Sequence, residues 1–291
     1  TLYSVQNKYS ETIKIENTSV GEGEPVYIIA EVGINHDGDM KKAVKLIEEA
    51  KKSGANAVKL QTYITEYRVP KDHAVYGILK QCELSHADQK ELFSLGRELG
   101  ITVFSTPFDD ESVDFLEEIK SPVYKIASFD SVNTKLLNKV STTNKPVIMS
   151  TGMTSLDELG AAWKALGGKE DGTGCELALM HCVSSYPLED KRANLAIIQF
   201  LHEVHGGPVG YSDHTIGAEI PIYGVAAGAS IIEKHFTLDT TSDGPDHSMS
   251  ADPQTLSELV LKVKWIQEIL GSKEMKVREA EKGSISYRRP S

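Results

Sequence analysis

The chain has 291 residues, of which 40% are hydrophobic, and a formal net charge of −11 at pH 7. This length suits one large α/β barrel, a fold that typically needs about 250 residues, better than a small binding module. The acidic charge argues against nucleic acid and anionic membranes as partners, because both require a basic surface. The sequence has neither a basic-then-apolar leader nor an apolar run near the roughly 20 residues of a membrane span, so we expect a cytoplasmic protein.

Residues 1–25 alternate weakly between apolar and polar side chains and then break at Gly21, Gly23 and Pro25. This pattern predicts an amino-terminal β-hairpin, which we expect to plug one end of the fold that follows. From residue 26 to residue 270, an apolar β-branched run, a polar loop and a helical stretch repeat in turn. The eight runs that we assign to strands are residues 26–31, 57–61, 102–106, 123–128, 147–150, 177–183, 209–212 and 231–235.

Helical stretches with one apolar face follow these strands, and in residues 40–52 that face consists of Ala43, Leu46, Ile47 and Ala50. Apolar strands that alternate with amphipathic helices form a parallel sheet covered by helices. Eight such units in this length predict an α/β protein with a closed (β/α)8 barrel, the TIM barrel fold. The alternative is an open doubly wound sheet, but no Gly-x-Gly-x-x-Gly turn follows the first strand. The other predicted helices are residues 87–99, 110–119, 135–142, 156–166, 193–205, 219–228 and 253–270.

The seventh and eighth strands lead into two histidines, His214 and His235. Because neighbouring parallel strands lie about 4.8 Å apart, the two imidazoles can meet over the end of the sheet. A single histidine at such a rim is more often a hydrogen-bonded structural residue, whereas two on adjacent strands favour a metal site. Together with Glu31 on the adjoining first strand, they suit a divalent ion such as Mn²⁺, Zn²⁺ or Fe²⁺. The other histidines are interpreted as structural or surface residues.

Polar side chains also stand at the carboxyl ends of most other strands, where barrel enzymes carry their chemistry. Lys59 and Lys125 lie inside strands among apolar neighbours, and a closed barrel has no free edge for a solvated lysine, so we expect both to bind an anionic ligand. Side chains alternate along a strand, so Glu233 shares the inner face with His235 while Lys234 points away. The further polar groups at this rim are Gln61, Thr106, Ser128, Ser150, Ser184, Tyr186 and Ser212.

Several motifs closely resemble the sialic acid (N-acetylneuraminate) synthase family. They are residues 29–38 (IAEVGINHDG), 58–62 (VKLQT), 124–128 (YKIAS), 150–153 (STGM), 210–215 (GYSDHT) and 232–237 (IEKHFT). The resemblance spans about residues 26–270 and implies a metal-dependent condensation of phosphoenolpyruvate with an N-acylated mannosamine-type sugar, which gives a nine-carbon 2-keto sugar acid and phosphate. The family usually continues into a small antifreeze-like domain that reaches across a homodimer. The charged residues 271–291 are therefore interpreted as a linker toward such a domain.

The resemblance also implies roles for individual residues of this chain. His214 and His235 match the family's Mn²⁺ ligands, and Glu31 matches a catalytic carboxylate. The positions that face the sugar are matched by Gln61, Tyr186 and Asp246. The phosphoenolpyruvate contacts are matched by Lys59, Thr106, Lys125, Ser128, Ser150 and Ser212, and the two lysines are expected to be catalytic because they stabilise the phosphate.

The chain departs from the family pattern in two places. Many sialic acid synthases have Gly-Glu after the serine of the fourth strand and an asparagine at the position of Ser184, whereas this chain has Phe129, Asp130 and Ser184. The phenylalanine and acid are similar to pseudaminic acid and spore-coat polysaccharide synthases, while residues 33–38 and 244–247 resemble the neuraminate and legionaminate branch. The alternatives are thus a pseudaminate or spore-coat sugar synthase, a condensing enzyme for phosphorylated sugars and, from another class, a non-catalytic barrel that binds a sugar or a partner.

Overall fold

The computed structural model describes residues 11–168 and 174–289. Within these residues, the strands form two sheets, an antiparallel hairpin and a closed barrel of eight parallel strands. The hairpin consists of β1 (Thr12–Ile15) and β2 (Thr18–Gly21). The barrel strands are β3 (Tyr27–Gly33), β4 (Ala57–Thr62), β5 (Thr102–Pro107), β6 (Tyr124–Ile126), β7 (Val147–Ser150), β8 (Leu177–His181), β9 (Val209–Asp213) and β10 (Ile231–His235).

The barrel closes because its last strand, β10, pairs in parallel with its first, β3. Their register sets Ile231 beside Tyr27 and His235 beside Glu31. All residues of β3, β6, β7, β8, β9 and β10 are buried, since one face of each strand fills the barrel and the other packs against helices. The predicted closed (β/α)8 barrel is confirmed.

Most of the helices lie where amphipathic stretches were predicted. For example, α1 begins after Asp39, whose carboxylate accepts a hydrogen bond from the backbone N–H of Lys41, and it buries the apolar face predicted from the sequence. In the described residues the α-helices are α1 (Met40–Lys52), α2 (Thr65–Arg68), α3 (Tyr76–Cys82), α4 (His86–Leu99), α5 (Asp110–Glu118), α6 (Thr134–Ser141), α7 (Leu156–Ala165), α8 (Ala196–His205), α9 (Glu219–Ala226) and α10 (Pro253–Leu270).

Two barrel strands are shorter than the sequence predicts. β6 ends at Ile126, because residues Ser128–Asp130 form a turn of 3-10 helix instead of continuing the strand. β8 ends at His181, and the carbonyl of Val183 accepts a hydrogen bond from the ring of His214 rather than from a neighbouring strand. Both departures shape the loops that carry the predicted site.

Between β4 and α4, where the sequence predicts no element, the chain forms the short helices α2 and α3. Contacts with distant residues hold the start of α2 in place. The backbone N–H of Ile64 donates to Asp109 at 3.0 Å, and that of Thr65 donates to Glu83 at 2.9 Å. A four-residue helix is too short to show a helical periodicity of apolar residues, so the local sequence could not have indicated α2.

The hairpin fills the amino-terminal end of the barrel. Ile13, Ile15 and Val20 are buried, and they pack in one cluster with Tyr27, Ile29, Ala57, Phe104, Val123, Ile148, Ala178, Met180 and Ile231. The hydroxyl of Thr102 donates to the carboxylate of Glu16 at 2.7 Å, which ties the hairpin turn to β5. This packing agrees with the predicted plug, although residues 1–10 of the predicted segment lie outside the described residues.

Truncating a side chain of this plug should destabilise the fold. Ile15 is fully buried, whereas the neighbouring Lys14 is exposed. We expect Ile15→Ala to lower the free energy of unfolding by about 2–5 kcal/mol, because it leaves a cavity at the barrel end. Lys14→Ala should change it by less than about 0.5 kcal/mol. Urea unfolding of both variants is the measurement, and equally small effects would contradict a packed plug.

After α10 the described chain is exposed and contains one further regular element, a 3-10 helix over Glu279–Tyr287. The predicted linker, residues 271–291, covers this segment, and its residues 290 and 291 lie outside the described chain. No helix within residues 11–168 and 174–289 combines the length and apolar character needed to cross a membrane.

Candidate functional site

Four charged side chains lie buried at the carboxyl ends of the barrel strands. They are Glu31 on β3, Lys59 on β4, Lys125 on β6 and Glu233 on β10, here called the central cluster. None of them is more than 4% exposed. Alternation along each strand turns these side chains into the barrel while their neighbours in the chain face the surrounding helices.

Opposite charges alternate within the central cluster. Lys59 Nζ lies 2.8 Å from Glu31 Oε2 and 3.7 Å from Glu233 Oε2. Lys125 Nζ lies 3.6 Å from Glu233 Oε1, and this oxygen also accepts a hydrogen bond of 2.9 Å from the hydroxyl of Ser212. Because an isolated buried charge is costly, the two lysines and two glutamates compensate one another.

The pKa values within the cluster follow from burial and from these ion pairs. Burial raises the pKa of Glu31 above its ordinary value, and the nearby Lys59 only partly offsets this effect. Burial acts in the same direction on Glu233, but Lys125 and Lys59 outweigh it and lower the pKa. Burial lowers the pKa of Lys125, whereas the two carboxylates beside Lys59 overcome burial and raise its pKa. Glu31 is therefore the carboxyl group of the cluster best suited to exchange a proton near neutral pH.

Two hydroxyl groups extend the lysine contacts. Lys59 Nζ donates to Thr106 Oγ1 at 3.1 Å, and Lys125 Nζ donates to Ser150 Oγ at 2.7 Å. An ammonium group can only donate, so each hydroxyl accepts from its lysine and keeps its own hydrogen for another acceptor. Both hydroxyls can therefore donate to the oxygen atoms of an anionic ligand.

The loop after β7 approaches the loops after β6 and β8 closely at Gly152. Its backbone N–H donates to Ser128 Oγ at 3.1 Å. A Cβ atom at this position would lie 2.7 Å from Ser128 Oγ and from Ser184 Oγ, and 2.8 Å from Cys182 Sγ. In the described residues, Ser184 Oγ is buried without a hydrogen-bond partner. Glycine thus leaves room for a small polar cradle whose hydroxyl groups can donate hydrogen bonds to ligand oxygen atoms.

The rings of His214 and His235 lie edge to face at the mouth of the barrel, with centroids 5.6 Å apart and planes at 61°. His214 Nδ1 lies 2.7 Å from the Val183 carbonyl, which can only accept, so Nδ1 carries the hydrogen and Nε2 keeps a lone pair. His235 Nδ1 lies 3.8 Å from Asp246 Oδ2. The ring of Tyr186 covers His214 with a centroid distance of 4.2 Å.

This pair can serve as two of the ligands of a divalent ion. Burial lowers the pKa of both His214 and His235, which favours the neutral, ligating form. His235 Nδ1 is buried and has no hydrogen-bond partner within the described chain. No group of three or more His, Cys, Asp and Glu side chains in residues 11–168 and 174–289 forms a ready metal site. The remaining ligands would have to come from substrate or water, and the metal stays a prediction.

The structure places the predicted catalytic, substrate-binding and metal-binding residues together at this rim, and it adds two to which the sequence prediction assigns no role. Glu233 is central to the cluster, and its shared strand face with His235 was the signal that could have identified it. The second is Arg68 on α2, whose Nη1 donates to Gln61 Oε1 at 2.9 Å. Gln61 Nε2 in turn donates to Glu31 Oε1 at 3.3 Å.

Several histidines away from this pair are structural, as predicted. His205 is an example: its ring is 6% exposed, and its Nε2 lies 2.9 Å from the carbonyl oxygen of Leu177. Burial lowers the pKa of His205 to about 4. The other buried histidines with hydrogen bonds to the rest of the chain are His36, His181 and His247.

Stability should therefore fall in acid partly because of His205. Its pKa is depressed in the folded protein, so the unfolded chain binds the proton more readily between about pH 6.5 and pH 4. The stability that the neutral ring contributes is fully present above this pH range and is lost as the pH falls through it. Glutamine keeps an N–H donor but cannot titrate. Between pH 7 and pH 4.5, we expect the free energy of unfolding of His205→Gln to fall by about 2 kcal/mol less than that of the unsubstituted protein. Urea unfolding at both pH values is the measurement, and parallel pH dependences would contradict the prediction.

Fold and site together define a (β/α)8-barrel protein with a buried cluster of paired charges and two facing histidines at the carboxyl ends of its strands. A sequence profile of the NeuB family matches residues 46–275. The chain belongs to the NeuB family, and the resemblance found in its motifs is confirmed.

Comparison with known proteins agrees with this membership. The chain is 45% identical to the uncharacterized protein MJ1065 of Methanocaldococcus jannaschii, over 91% of this chain and 77% of the relative. It is 37% identical to the N,N'-diacetyllegionaminic acid synthase of Legionella pneumophila, over 92% of this chain and 82% of the relative. Its structure is similar to that of the N-acetylneuraminic acid synthetase from Leptospira borgpetersenii in complex with citrate. The TM-score is 0.92 at 38% identity, covering 97% of this chain and 98% of that chain.

Proposed function

We propose that this chain condenses phosphoenolpyruvate with an N-acylated mannosamine-type sugar, which gives phosphate and a nine-carbon 2-keto sugar acid of the N-acetylneuraminate or legionaminate type. The observation that carries the proposal is the pair of buried lysines, Lys59 and Lys125, each with a hydroxyl group beside it. Phosphoenolpyruvate carries a carboxylate and a phosphate, which match two ammonium groups at one strand end. The names of the Legionella and Leptospira relatives agree with this class of product.

The proposed reaction forms one carbon–carbon bond and replaces the bond between C2 and the phosphate oxygen by a bond between C2 and a water oxygen. C3 of phosphoenolpyruvate attacks the aldehyde carbon of the open-chain sugar, and the aldehyde oxygen takes up a proton. Water adds to the electron-poor C2, and phosphate then leaves with the bridging oxygen. The oxygen of the water, after losing both protons, becomes the keto oxygen of the product.

The central cluster can support this reaction electrostatically. Lys59 and Lys125 hold the carboxylate and phosphate and stabilise the charge that the departing phosphate gains. When the anionic groups of the ligand pair with these lysines, Glu31 is available to accept a proton from the attacking water. Burial raises the pKa of Glu31, which suits that role. The side chains proposed to complete the phosphoenolpyruvate site are Thr106, Ser128, Ser150, Ser184 and Ser212.

We further propose that His214 and His235 hold Mn²⁺ and that the sugar binds beside them. When bound, the ion would polarise the sugar aldehyde. The side chains proposed to orient the sugar are Gln61, Tyr186 and Asp246, of which Tyr186 and Asp246 lie next to the two histidines. The ring of Tyr186 is exposed, which supports binding of the sugar on the solvent side of the two histidines.

The activity is tested by incubating the protein with Mn²⁺, phosphoenolpyruvate and either N-acetylmannosamine or a 2,4-diacetamido analogue. We expect phosphate release to depend on the sugar and to equal the amount of sugar acid found by mass spectrometry. Faster turnover of the diacetamido sugar would indicate a legionaminate-type product. Phosphate release without any sugar, or no release with either sugar, would contradict the proposed condensation.

Removal of the two imidazoles should abolish metal binding. We expect His214→Ala combined with His235→Ala to weaken Mn²⁺ binding by at least about 100-fold in calorimetric titration, because no other described side chains replace them. His73→Ala is the matched control, since His73 is exposed and lies in the segment between α2 and α3. Equal Mn²⁺ affinities of the double variant and this control would exclude the pair as the metal site.

A further inference from the structure

Arg68 lies at the edge of the site, where contacts with neighbouring residues hold its backbone and its side chain. It ends the four-residue helix α2, whose start is held by Glu83 and Asp109. Its guanidinium carbon lies 3.7 Å from the ring centroid of Phe108 and 4.8 Å from that of Tyr63. A planar guanidinium stacked on aromatic rings loses little further freedom when it forms a directional hydrogen bond. Arg68 therefore has the rigidity needed to orient a neighbour.

That neighbour is Gln61, which connects Arg68 to the central cluster. Arg68 Nη1 lies 2.9 Å from one end of the Gln61 amide, and the other end lies 3.3 Å from Glu31 Oε1. A guanidinium can only donate, so the end facing Arg68 must be the oxygen. The NH₂ group then faces Glu31, where it can donate to the carboxylate. The reversed amide would set an oxygen against an oxygen at Glu31 and two donors against each other at Arg68.

The backbone keeps space for this contact. Gly33 has a φ of +54°, and a Cβ atom there would lie 3.1 Å from Glu31 Oε1 and 3.3 Å from Gln61 Nε2. A side chain at this position would press on the hydrogen bond between the amide and the carboxylate. The glycine thus permits both the turn at the end of β3 and the close approach of Gln61 to Glu31.

The charges around Arg68 favour this role over the capture of an anionic ligand. Three carboxylates act on it electrostatically, those of Asp130, Asp246 and Glu31. An anionic group approaching Arg68 would therefore also approach these acidic side chains, which oppose its binding. The neutral amide of Gln61 has no such penalty.

We propose that Arg68 is a positioning residue, which holds the Gln61 amide with its NH₂ group toward Glu31 and thereby fixes the Glu31 carboxylate for the condensation. The inference rests on the proposed function for its catalytic consequence. The orientation of the amide itself is a property of the ligand-free protein and can be measured separately.

The kinetic test compares Arg68→Met, Gln61→Leu and the double variant in the phosphate-release assay. We expect each single substitution to lower kcat by about 10- to 100-fold with little change in KM for phosphoenolpyruvate, because a misplaced catalytic group mainly slows the chemical step. If Arg68 acts through Gln61, the double variant should be no slower than Gln61→Leu, within about 2-fold. Arg68→Lys, which keeps one donor, should recover part of the rate. If the fold-decreases in kcat of the two single variants multiply in the double variant, or if only KM for the sugar rises, the proposal is overturned.

The structural test follows the side-chain amide signals of Gln61 by ¹⁵N NMR in the ligand-free protein, assigned by their loss in Gln61→Leu. We expect two distinct signals that exchange slowly with solvent, and in Arg68→Met these should move toward the values of a solvated glutamine. Arg68→Lys should give intermediate values. Unchanged Gln61 signals in Arg68→Met would overturn the positioning role, whatever reaction the protein catalyses. A changed amide in a protein without synthase activity would refute the proposed function alone.

Discussion

Replacing Lys125 by methionine is expected to reduce kcat/KM for phosphoenolpyruvate by about 1,000-fold. Lys125 Nζ donates to Ser150 Oγ at 2.7 Å and lies 3.6 Å from Glu233 Oε1. Without the ammonium group, the departing phosphate loses a cation, and the carboxylate of Glu233 loses one of the two lysines that compensate it. Steady-state phosphate release over a range of phosphoenolpyruvate concentrations is the measurement.

A matched lysine separates this effect from a general change in charge. Lys135 lies on α6 with a side chain that is 82% exposed, so Lys135→Met should leave kcat/KM unchanged. The double substitution Lys125→Met and Glu233→Gln removes both charges of the buried pair. We expect it to unfold at higher urea concentration than Lys125→Met yet to remain inactive. A Lys125→Met protein within about 10-fold of full activity would exclude this lysine from phosphate stabilisation.

Replacing Lys234 by methionine should destabilise the protein by about 3–5 kcal/mol. Lys234 is fully buried between the strand faces and the helices, and its Nζ lies 2.6 Å from Asp213 Oδ2. The substitution leaves the Asp213 carboxylate buried without its cation. Urea unfolding, monitored by circular dichroism, gives the change in the free energy of unfolding.

The double variant Lys234→Met and Asp213→Asn tests the cause. Asparagine is neutral and can still accept the hydrogen bonds that Asp213 receives from Tyr211 and Thr215, so we expect it to restore about 2 kcal/mol. Lys262→Met is the control for a solvent-accessible lysine, and its ion pairs with Glu219 and Glu258 should contribute little to stability. A double variant that is less stable than Lys234→Met would show that the charge is not the source of the loss.

Residue periodicity was enough to predict the barrel and much of its rim. The alternation of β10 turns Glu233 and His235 inward and Lys234 outward, and the structure confirms this by pairing Lys234 with Asp213 outside the barrel interior. The bounds of β7, β10, α1 and α10 agree with the prediction because each has a regular apolar pattern and clear end signals.

Contacts between distant segments could not be predicted in this way. Glu233 lies on the predicted inner face, but its importance depends on Lys59 and Lys125, which reach it from β4 and β6. Arg68 belongs to a segment without periodicity, and its position depends on Glu83, Asp109 and the ring of Phe108. These residues come together only when the barrel closes, and the residue pattern within one strand does not indicate which strands its side chains will contact.

The hairpin at the amino-terminal end also has a consequence for the order of events during turnover. Because Ile13, Ile15 and Val20 fill that end, ligands that reach the described site pass through the opposite rim. Lys59 and Lys125 are at most 4% exposed, whereas Tyr186 is 43% exposed. A molecule bound at the two lysines would therefore lie deeper in the barrel than one bound beside Tyr186 and Asp246. In the proposed reaction, phosphoenolpyruvate must then enter before the sugar, and a sugar bound first would act as a lid against its co-substrate.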